Sequence, residues 1–515
     1  MRTLLLLFSI LFLAAPASAE WWEARTEHFI IYSQDNEAAT RAFATDLERY
    51  DHALRSLRQT KYEPVSADWQ RVVIYRTGNV DFISRIAHAP AAGFYRPQMN
   101  PVAFTPVRDN KFSDSIIKHD SRTDLDPRSV LFHEYAHAFM LQNFPTAYPS
   151  WYIEAFAETV ATIDLKPDGS FHVGNPPNWR ADALFGGMLT VSPQSLLAST
   201  AKPDGEDQYG WYTVGWLVNH YLTFEPSRKG QLITYLRLMN GGMNSAQAAR
   251  QAFGDLNKLA SEIATYKRRG KLLGIDVHPA TPANAQVAMR KLGPDEEAIM
   301  RAKVRTKAGL TRSEARDVAG DARAVARDFP NSYPVLVELA EAEFDAEHYT
   351  EAEAAADRAL QSRPNGSEAL IAKGNILLEK GKKDRQFLPA ARIWFAKAHD
   401  VDTRNPEPLV GNYLTYFYEG GPIPESALIG LEQGYDKARQ DKGLRLVLGR
   451  QLLAEKKGSL AKEIMLPLAL DPHESKLQKT VRGALDLVDA GKVADAYAKL
   501  AQQMAKWEEE AKKGV

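Results

Sequence analysis

The chain has 515 residues, of which 44% are hydrophobic and 25% are charged, a balance typical of folded globular proteins and unlike that of disordered or fibrous chains. The 64 Lys and Arg residues nearly cancel the 65 Asp and Glu residues, which argues against a nucleic-acid binder or a protein held on an anionic membrane surface. There is no cysteine, so thiol catalysis, disulfides and cysteine-based zinc or iron–sulfur sites are excluded. Any bound metal must be held by His, Asp or Glu.

The first nineteen residues have the pattern of an export signal. Arg2 supplies the positive start, residues 4–13 an apolar core, and residues 17–19 a small-residue cleavage site. The apolar run is shorter than the roughly 20 residues that span a bilayer, although an uncleaved anchor is the alternative. We expect cleavage after Ala19, a periplasmic or secreted protein, and no integral membrane segment once the signal is removed. The absence of cysteine is compatible with a bacterial periplasm.

Residues 20–270 read as an α+β domain with a small sheet and several helices. β-favouring runs predict strands at 29–32, 72–75 and 102–107. Apolar residues at helical spacing predict helices at 38–57, over 126–163 with a break at 144–149, and over 209–267. Two prolines within 275–282 mark a boundary, so residues 271–294 are predicted to be a linker.

Residues 295–515 change character, because Ala, Glu, Lys, Arg and Leu dominate and strand signals nearly vanish. Pro330 and Pro364 stand 34 residues apart and open similar runs, and Pro406 opens a third after an apparent insertion. This region resembles tetratricopeptide repeats, and a generic helical bundle is the alternative. The resemblance implies an all-α solenoid that binds a peptide or protein partner.

One segment concentrates chemistry-bearing side chains. His133 and His137 are four residues apart, so on a helix both imidazoles project from one face and can bind one ion. Glu134 lies between them, at the edge of that face, where it can act as the general base for an activated water. This His-Glu-x-x-His arrangement is that of zinc metallopeptidases, and it predicts Zn²⁺ as the cofactor.

A catalytic zinc needs a third protein ligand, and the next helical run offers two glutamates. Glu154 lies where it can face back across a short loop, and Glu158 follows one turn later. We expect Glu154 to be a metal ligand and Glu158 to accept the free N–H of a ligating histidine. The alternative is a pair of solvated surface glutamates, but the flanking residues Trp151 and Phe156 favour a buried role for Glu154.

The two motifs together resemble the gluzincins, the zinc metallopeptidases related to aminopeptidase N and thermolysin. The resemblance rests on His-Glu-x-x-His at 133–137 and Trp-x-x-Glu at 151–154, and it covers about residues 20–270. It implies that Glu154 is the third zinc ligand. Ala155 departs from the family, which usually has glycine at that position.

The same resemblance extends to a helix that begins near Tyr212. The segment Tyr-x-x-Gly at 212–215 is similar to the family's oxyanion-stabilising motif, so the resemblance implies that role for the Tyr212 hydroxyl. It also implies that the strand at 102–107 is an edge strand that pairs with extended substrate. The segment with which aminopeptidases hold a free N-terminus is absent, which leaves endopeptidase as the expected activity.

The sequence therefore predicts an exported zinc metallopeptidase with a repeat domain for a peptide or protein. The alternative is an interaction scaffold of the cell envelope whose zinc domain is weakly active or inactive. A hydrolase of a non-peptide amide shares the same chemistry and stays open. No nucleic-acid partner is expected.

Overall fold

The structure, a computed structural model, describes residues 20–60, 65, 67–107, 127–144, 146, 148–180, 184–185, 190–199, 208–269, 272–471 and 475–513. The predicted export signal, residues 1–19, lies outside the described residues. Within the part of the chain that is described, no helix is both long enough and apolar enough to cross a bilayer.

The described strands form two sheets. They are β1 (Trp22–Arg25), β2 (Phe29–Ser33), β3 (Val72–Arg76), β4 (Phe94–Arg96), β5 (Val102–Thr105), β6 (Asp164–Leu165), β7 (Phe171–Val173), β8 (Ile275–Val277) and β9 (Ala288–Lys291). The larger sheet has the order β4-β5-β3-β2-β1-β9, with β2, β3 and β5 parallel and the other pairs antiparallel. The smaller sheet, β6-β7-β8, is antiparallel.

The helices fall into two groups along the chain. The first group is α1 (Glu37–Arg58), α2 (Val80–Ala87), α3 (Pro127–Asn143), α4 (Ser150–Ala161), α5 (Pro193–Ala198), α6 (Gln208–Phe224), α7 (Gln231–Asn240), α8 (Ser245–Phe253) and α9 (Leu256–Lys267). The second group is α10 (Pro294–Ala308), α11 (Arg312–Asp328), α12 (Tyr333–Asp345), α13 (Tyr349–Ser362), α14 (Ser367–Lys383), α15 (Leu388–Val401), α16 (Pro406–Glu419), α17 (Glu425–Lys437), α18 (Lys442–Ala454), α19 (Gly458–Ala469), α20 (Lys476–Asp489) and α21 (Val493–Lys513). The predicted α+β class is confirmed.

Helices cover both faces of the larger sheet. Successive side chains of a strand point to opposite faces. Phe29 and Ile74 are therefore buried with residues of α1 and α3, whereas Tyr75 and Phe104 are buried with residues of α2 and α10. Helix α3 contacts β4 and β5 directly, so the His-Glu-x-x-His motif lies on the sheet.

Strand β4 forms one edge of the larger sheet. The strand expected at this edge, residues 102–107, is observed as β5 and lies inside the sheet between β3 and β4. The expectation was wrong because β4 has only three residues, too few to show an alternating pattern in the sequence. Any extended chain added at this edge would pair with β4.

The segment predicted as a linker, 271–294, contains two strands. β8 pairs with β7 of the smaller sheet, and β9 pairs with β1 of the larger sheet. Helix α10, which the sequence assigns to the repeat domain, buries Met300 and Val304 against the larger sheet. The N-terminal fold therefore uses residues up to about 308.

Helices α10–α21 form the predicted helical repeat region. Each helix contacts the next, and α10, α12, α14 and α16 also contact one another in succession. Phe395 of α15 packs where glycines leave space, because a Cβ at Gly374 or Gly411 would lie 2.6 Å or 2.4 Å from its ring. The small and large residues at repeat spacing are therefore packing partners of neighbouring helices.

Candidate metal centre

Helix α3 is fixed to α1 by aromatic and polar contacts. Phe132 stacks on Tyr50 with ring centroids 3.8 Å apart, and the Tyr50 hydroxyl donates to the Phe132 carbonyl at 2.9 Å. The Tyr135 hydroxyl donates to the Asp51 carboxylate at 2.6 Å. Because these anchors occupy one side of α3, the two histidines are presented on another.

His133, His137 and Glu154 converge on one point between α3 and α4. The two Nε2 atoms lie 3.1 Å apart. The Glu154 carboxylate places Oε2 at 3.2 Å from Nε2 of His133 and Oε1 at 3.6 Å from Nε2 of His137. Glu154 is only 2% exposed, which favours the buried role over the solvated one. The structure thus brings together the three predicted ligands.

The separations between these atoms fit a zinc ion. Ligand atoms placed about 2.1 Å from zinc at the corners of a tetrahedron lie roughly 3.4 Å from one another. The two imidazole nitrogens lie 3.1 Å apart, and each has one Glu154 oxygen at a similar distance, Oε2 at 3.2 Å for His133 and Oε1 at 3.6 Å for His137. Two imidazoles and one carboxylate are also a ligand set of catalytic zinc, which keeps its fourth position open for water.

The charges of the carboxylates at this centre favour a bound positive charge. Burial works to lower the pKa of His133, but the hydrogen bond and charge of Glu154, with the charge of Glu158, raise it to about 9. Burial works to raise the pKa of Glu154, yet the two histidines hold it well below its usual range. A buried carboxylate here is stable only beside a cation, either a protonated imidazole or a metal.

Glu134 and His137 line a cleft with a volume of about 110 Å³. An apolar wall comes from α3, α4 and the residue that follows α3, and it consists of Met140, Leu141, Phe144 and Ile153. The helical repeat region contributes Lys442, Arg445, Pro467, Leu468 and Asp471. A carboxylate in this position can exchange a proton with a water or a substrate held in the cleft.

Glu158 is held by partners other than the expected histidine. Trp179 donates to its Oε2 at 2.8 Å, and Nη2 of Arg180 donates to its Oε1 at 2.7 Å. Nδ1 of His137 has no hydrogen-bond partner among the described residues. A guanidinium satisfies a buried carboxylate with charge-assisted hydrogen bonds, which are stronger than one from a neutral imidazole. Glu158 therefore positions Arg180 and acts on His133 through its charge.

Tyr212 lies on α6, which packs along α4. Its half-buried ring packs on the core, with the Arg180 guanidinium carbon 5.3 Å from the ring centroid. One turn later, Gly215 allows the close approach of α6, because a Cβ there would lie 3.3 Å from the carbonyl oxygen of Trp151. Arg180 thus joins Tyr212 to Glu158, and the oxyanion role of the Tyr212 hydroxyl stays a prediction.

Two polar residues that line the cleft were not predicted from the sequence. Tyr95 lies on β4, in a stretch that reads as turns, and Arg445 lies on α18 in the helical repeat region. The signal for Arg445 was its place within the apolar run 444–448, where a charged residue is unusual. Its proximity to the histidines depends on tertiary structure that no local pattern encodes.

A second group of ligand-type residues is explained by charge balance. His28 Nδ1 lies 2.9 Å from Glu48 Oε2 and 3.5 Å from Asp51 Oδ2, and all three residues are buried. Arg55 forms a salt bridge with Asp51 at 2.5 Å. Burial works to lower the pKa of His28, but Glu48 and Asp51 raise it. Two cations thus balance two carboxylates in a network that reaches α3 through Tyr135.

No known protein family and no curated protein matches the chain. Among solved structures, it is similar to a MamA RS-1 double mutant at 17% identity, covering 35% of this chain and 95% of that chain with a TM-score of 0.28. It is also similar to PilF of Pseudomonas aeruginosa at 16% identity, covering 42% of this chain and 94% of that chain with a TM-score of 0.32. A third similar structure is MamA from Desulfovibrio magneticus RS-1, residue 41 to the end, at 17% identity, covering 34% of this chain and 92% of that chain with a TM-score of 0.27. The description of the helical repeat region therefore rests on the helices observed in this chain and not on these similarities.

Proposed function

We propose that the protein is an exported zinc-dependent hydrolase that cleaves peptide bonds. The observation that carries the proposal is the convergence of His133, His137 and Glu154, with Glu134 on the wall of the adjoining cleft. A purely structural zinc site usually has four protein ligands and needs no adjacent general base. The resemblance to the gluzincins rests on these same residues.

Each residue has a distinct part in the proposed reaction. His133, His137 and Glu154 would hold the zinc, which would supply a Lewis acid able to activate water at neutral pH. Glu134 accepts the proton of the attacking water and delivers it to the leaving amine. The Tyr212 hydroxyl donates to the oxyanion of the tetrahedral intermediate, a contribution typically worth about 3 kcal/mol.

The second candidate is a protein-interaction scaffold with a weakly active or inactive zinc domain. It is favoured by the extent of α10–α21, which form a region of the kind that presents long binding surfaces. The helices of this region are observed, whereas the proposed peptidase activity rests on the geometry of the metal centre. The two candidates differ in turnover, not in metal content.

The test combines metal analysis and turnover on the purified mature protein. We expect one zinc per chain by mass spectrometry, and its loss in His133→Ala and Glu154→Gln, because each removes a ligand. Glu134→Gln should retain zinc but lose turnover of unstructured peptides by at least roughly 100-fold. His172→Ala is the control, since this histidine pairs with Asp276 in the smaller sheet.

The outcomes separate the candidates. If the wild type binds zinc but does not cleave peptides, and Glu134→Gln gives the same zinc content and the same lack of turnover, the scaffold candidate is supported. Full zinc occupancy in Glu154→Gln would remove Glu154 from the ligand set. No zinc in the wild type, even after zinc is supplied at neutral pH, would overturn the peptidase proposal.

A further inference from the structure

The cleft beside the metal centre is built by both halves of the molecule. Its N-terminal wall holds Glu134 and His137, and its C-terminal wall comes from α18 and α19 of the helical repeat region. The two halves are joined near the cleft by hydrogen bonds, including Gln440 Nε2 to the Gln98 carbonyl at 3.1 Å. The repeat region therefore contributes directly to whatever the cleft binds.

Arg445 brings a positive charge to this cleft, and Asp441, the N-cap of the same helix, acts on it through its charge without forming a salt bridge. The residue is 1% exposed, and its Nη1 donates to the Tyr435 hydroxyl at 2.9 Å and to the Ile464 carbonyl at 3.1 Å. Its Nε and Nη2 have no hydrogen-bond partner among the described residues, and no carboxylate there forms a salt bridge with it. The neighbouring Lys442 differs, because it is paired with Asp471.

The two unpartnered nitrogens of Arg445 form the edge with which arginines of this protein hold carboxylates. Arg55 donates from Nε and Nη2 to Asp51, and Arg323 donates from the same two atoms to Glu343. This parallel pair of hydrogen bonds matches the two oxygens of a carboxylate. In Arg445 the equivalent edge lies buried and without an acceptor.

A second donor comes from the other half of the molecule. Tyr95 on β4 lines the cleft, and its hydroxyl is buried and has no hydrogen-bond partner among the described residues. Burial also raises its pKa, so the hydroxyl keeps its proton and can donate. Buried polar groups in folded proteins are normally satisfied, so two such groups in one cleft indicate an absent acceptor.

We propose that the cleft binds a carboxylate of the peptide substrate, which Arg445 and Tyr95 hold while an adjacent apolar side chain packs on Met140 and Leu468. The carboxylate is either the C-terminus of the peptide or an Asp or Glu side chain. This proposal rests on the proposed peptidase function and names the substrate class of the same site. It makes the helical repeat region a determinant of specificity.

The test measures peptide binding, not only cleavage. Full-length mature protein carrying Glu134→Gln is titrated with three peptides in a calorimeter: N-acetyl-Ala-Ala-Leu, its C-terminal amide, and the amide of N-acetyl-Ala-Asp-Leu. We expect at least one carboxylate-bearing peptide to bind roughly 10- to 100-fold more tightly than the uncharged amide, because hydrogen bonds to a charged group contribute about that much to affinity. The peptide that does so identifies the carboxylate.

Variants at position 445 assign the effect to its residue. Arg445→Gln should abolish the preference, and Arg445→Lys should restore part of it, since a lysine keeps the charge without the paired donors. Arg450→Gln is the matched control, because Arg450 lies on the same helix and stacks on Phe417 at 4.2 Å. Circular dichroism and zinc content check the folding of each variant.

Equal binding of the acids and the amide would overturn the proposal even if Arg445→Gln fails to fold. An unchanged preference in a folded Arg445→Gln would also overturn it. Carboxylate preference without turnover in the wild type would keep this inference and refute the peptidase function. Turnover in the wild type without a preference for carboxylates would keep the peptidase function and refute this inference.

Discussion

Two histidines of this protein, the half-buried His133 and the buried His220, lie in opposite electrostatic environments. His133 faces carboxylates that raise its pKa to about 9, as expected for a ligand in a site built for a cation. His220 is fully buried among Trp216, Phe224 and Tyr266, and its pKa is lowered to about 4 by burial. The first histidine can exchange its proton for a metal, whereas burial favours the neutral form of the second.

The environment of His220 leads us to expect that the folded protein loses stability in mild acid. Its Nε2 donates to the Gly174 carbonyl at 2.8 Å, and its Nδ1 accepts from the Tyr266 hydroxyl at 2.9 Å, which requires the neutral ring. The unfolded chain binds a proton near pH 6.5, but the folded chain binds it only near pH 4, so stability falls as the pH falls through that window. We expect His220 to reduce the free energy of unfolding by about 2 kcal/mol between pH 7 and pH 5.

Urea denaturation of the wild type and His220→Gln at both pH values checks this prediction. The variant should be less stable at pH 7 but should lose less stability at pH 5. His278→Gln, at an exposed position, serves as the control and should follow the wild type. Parallel pH profiles for the wild type and His220→Gln would contradict the assignment of the effect to His220.

The sequence predicts the chemistry of individual residues better than their partners. His133, Glu134 and His137 are recognisable because helix geometry converts a spacing of four into a shared face. The partners of Glu158 were missed because Trp179 and Arg180 approach it from a separate segment after β7. Arg445 was missed for the same reason, since it is more than 300 residues from the motif. Such contacts are set by tertiary packing.

At the scale of elements, the metal centre depends on how closely α6 packs against α4. Gly215 is buried, and a Cβ there would lie 3.3 Å from the Trp151 carbonyl oxygen and 3.8 Å from Cβ of Ala155. These two residues flank Glu154 on α4. A larger side chain at position 215 must therefore push α4 and displace the third ligand.

Gly215→Leu should weaken zinc binding and destabilise the fold. We expect a stability loss of about 1–3 kcal/mol, typical of overpacking, and at least a tenfold loss of zinc affinity in a chelator competition. Gly320→Leu on α11 is the matched control, because a Cβ at Gly320 meets nothing within 4 Å. It should leave zinc affinity unchanged and should be at least as stable as the wild type, since glycine is a poor helix former. Equal zinc affinity in the two variants would refute the packing argument.

The elements that the sequence missed are those with the least local pattern. The strands at 29–32 and 72–75 were predicted because they are uninterrupted β-favouring runs, FIIY and VVIY, of the kind buried in the centre of a sheet. β4 and β9 have three and four residues, and β9 pairs with β1 from the far end of the domain. Helix α10 has the composition of the repeat region, yet its buried face belongs to the sheet. Composition alone therefore does not reveal that α10 packs on the sheet.

At the scale of the whole molecule, the two halves share a helix and a cleft. Met300 and Val304 of α10 are buried with Tyr75 and Phe104 of the larger sheet. Full burial of such side chains contributes roughly 1.5–3 kcal/mol each, so the sheet needs α10 to remain stable and soluble. The repeat region beyond α10 adds the wall of the cleft that carries Arg445.

Two truncations separate these contributions. A fragment of residues 20–309 keeps α10 and should be soluble, with one zinc per chain by mass spectrometry. A fragment of residues 20–291 keeps β9 but exposes the aromatic face of the sheet, so it should aggregate or melt at a lower temperature in a thermal scan. Equal melting temperatures would show that α10 does not support the sheet.

The longer fragment also separates metal binding from recognition. It retains His133, His137 and Glu154 but lacks Arg445, so it should hold zinc while discriminating poorly between N-acetyl-Ala-Ala-Leu and its amide. Calorimetry of both peptides against the fragment and the full-length protein makes the comparison. If the fragment kept the full preference for the acid, a donor of the N-terminal half such as Tyr95 would account for carboxylate binding, and the repeat region would have no part in it.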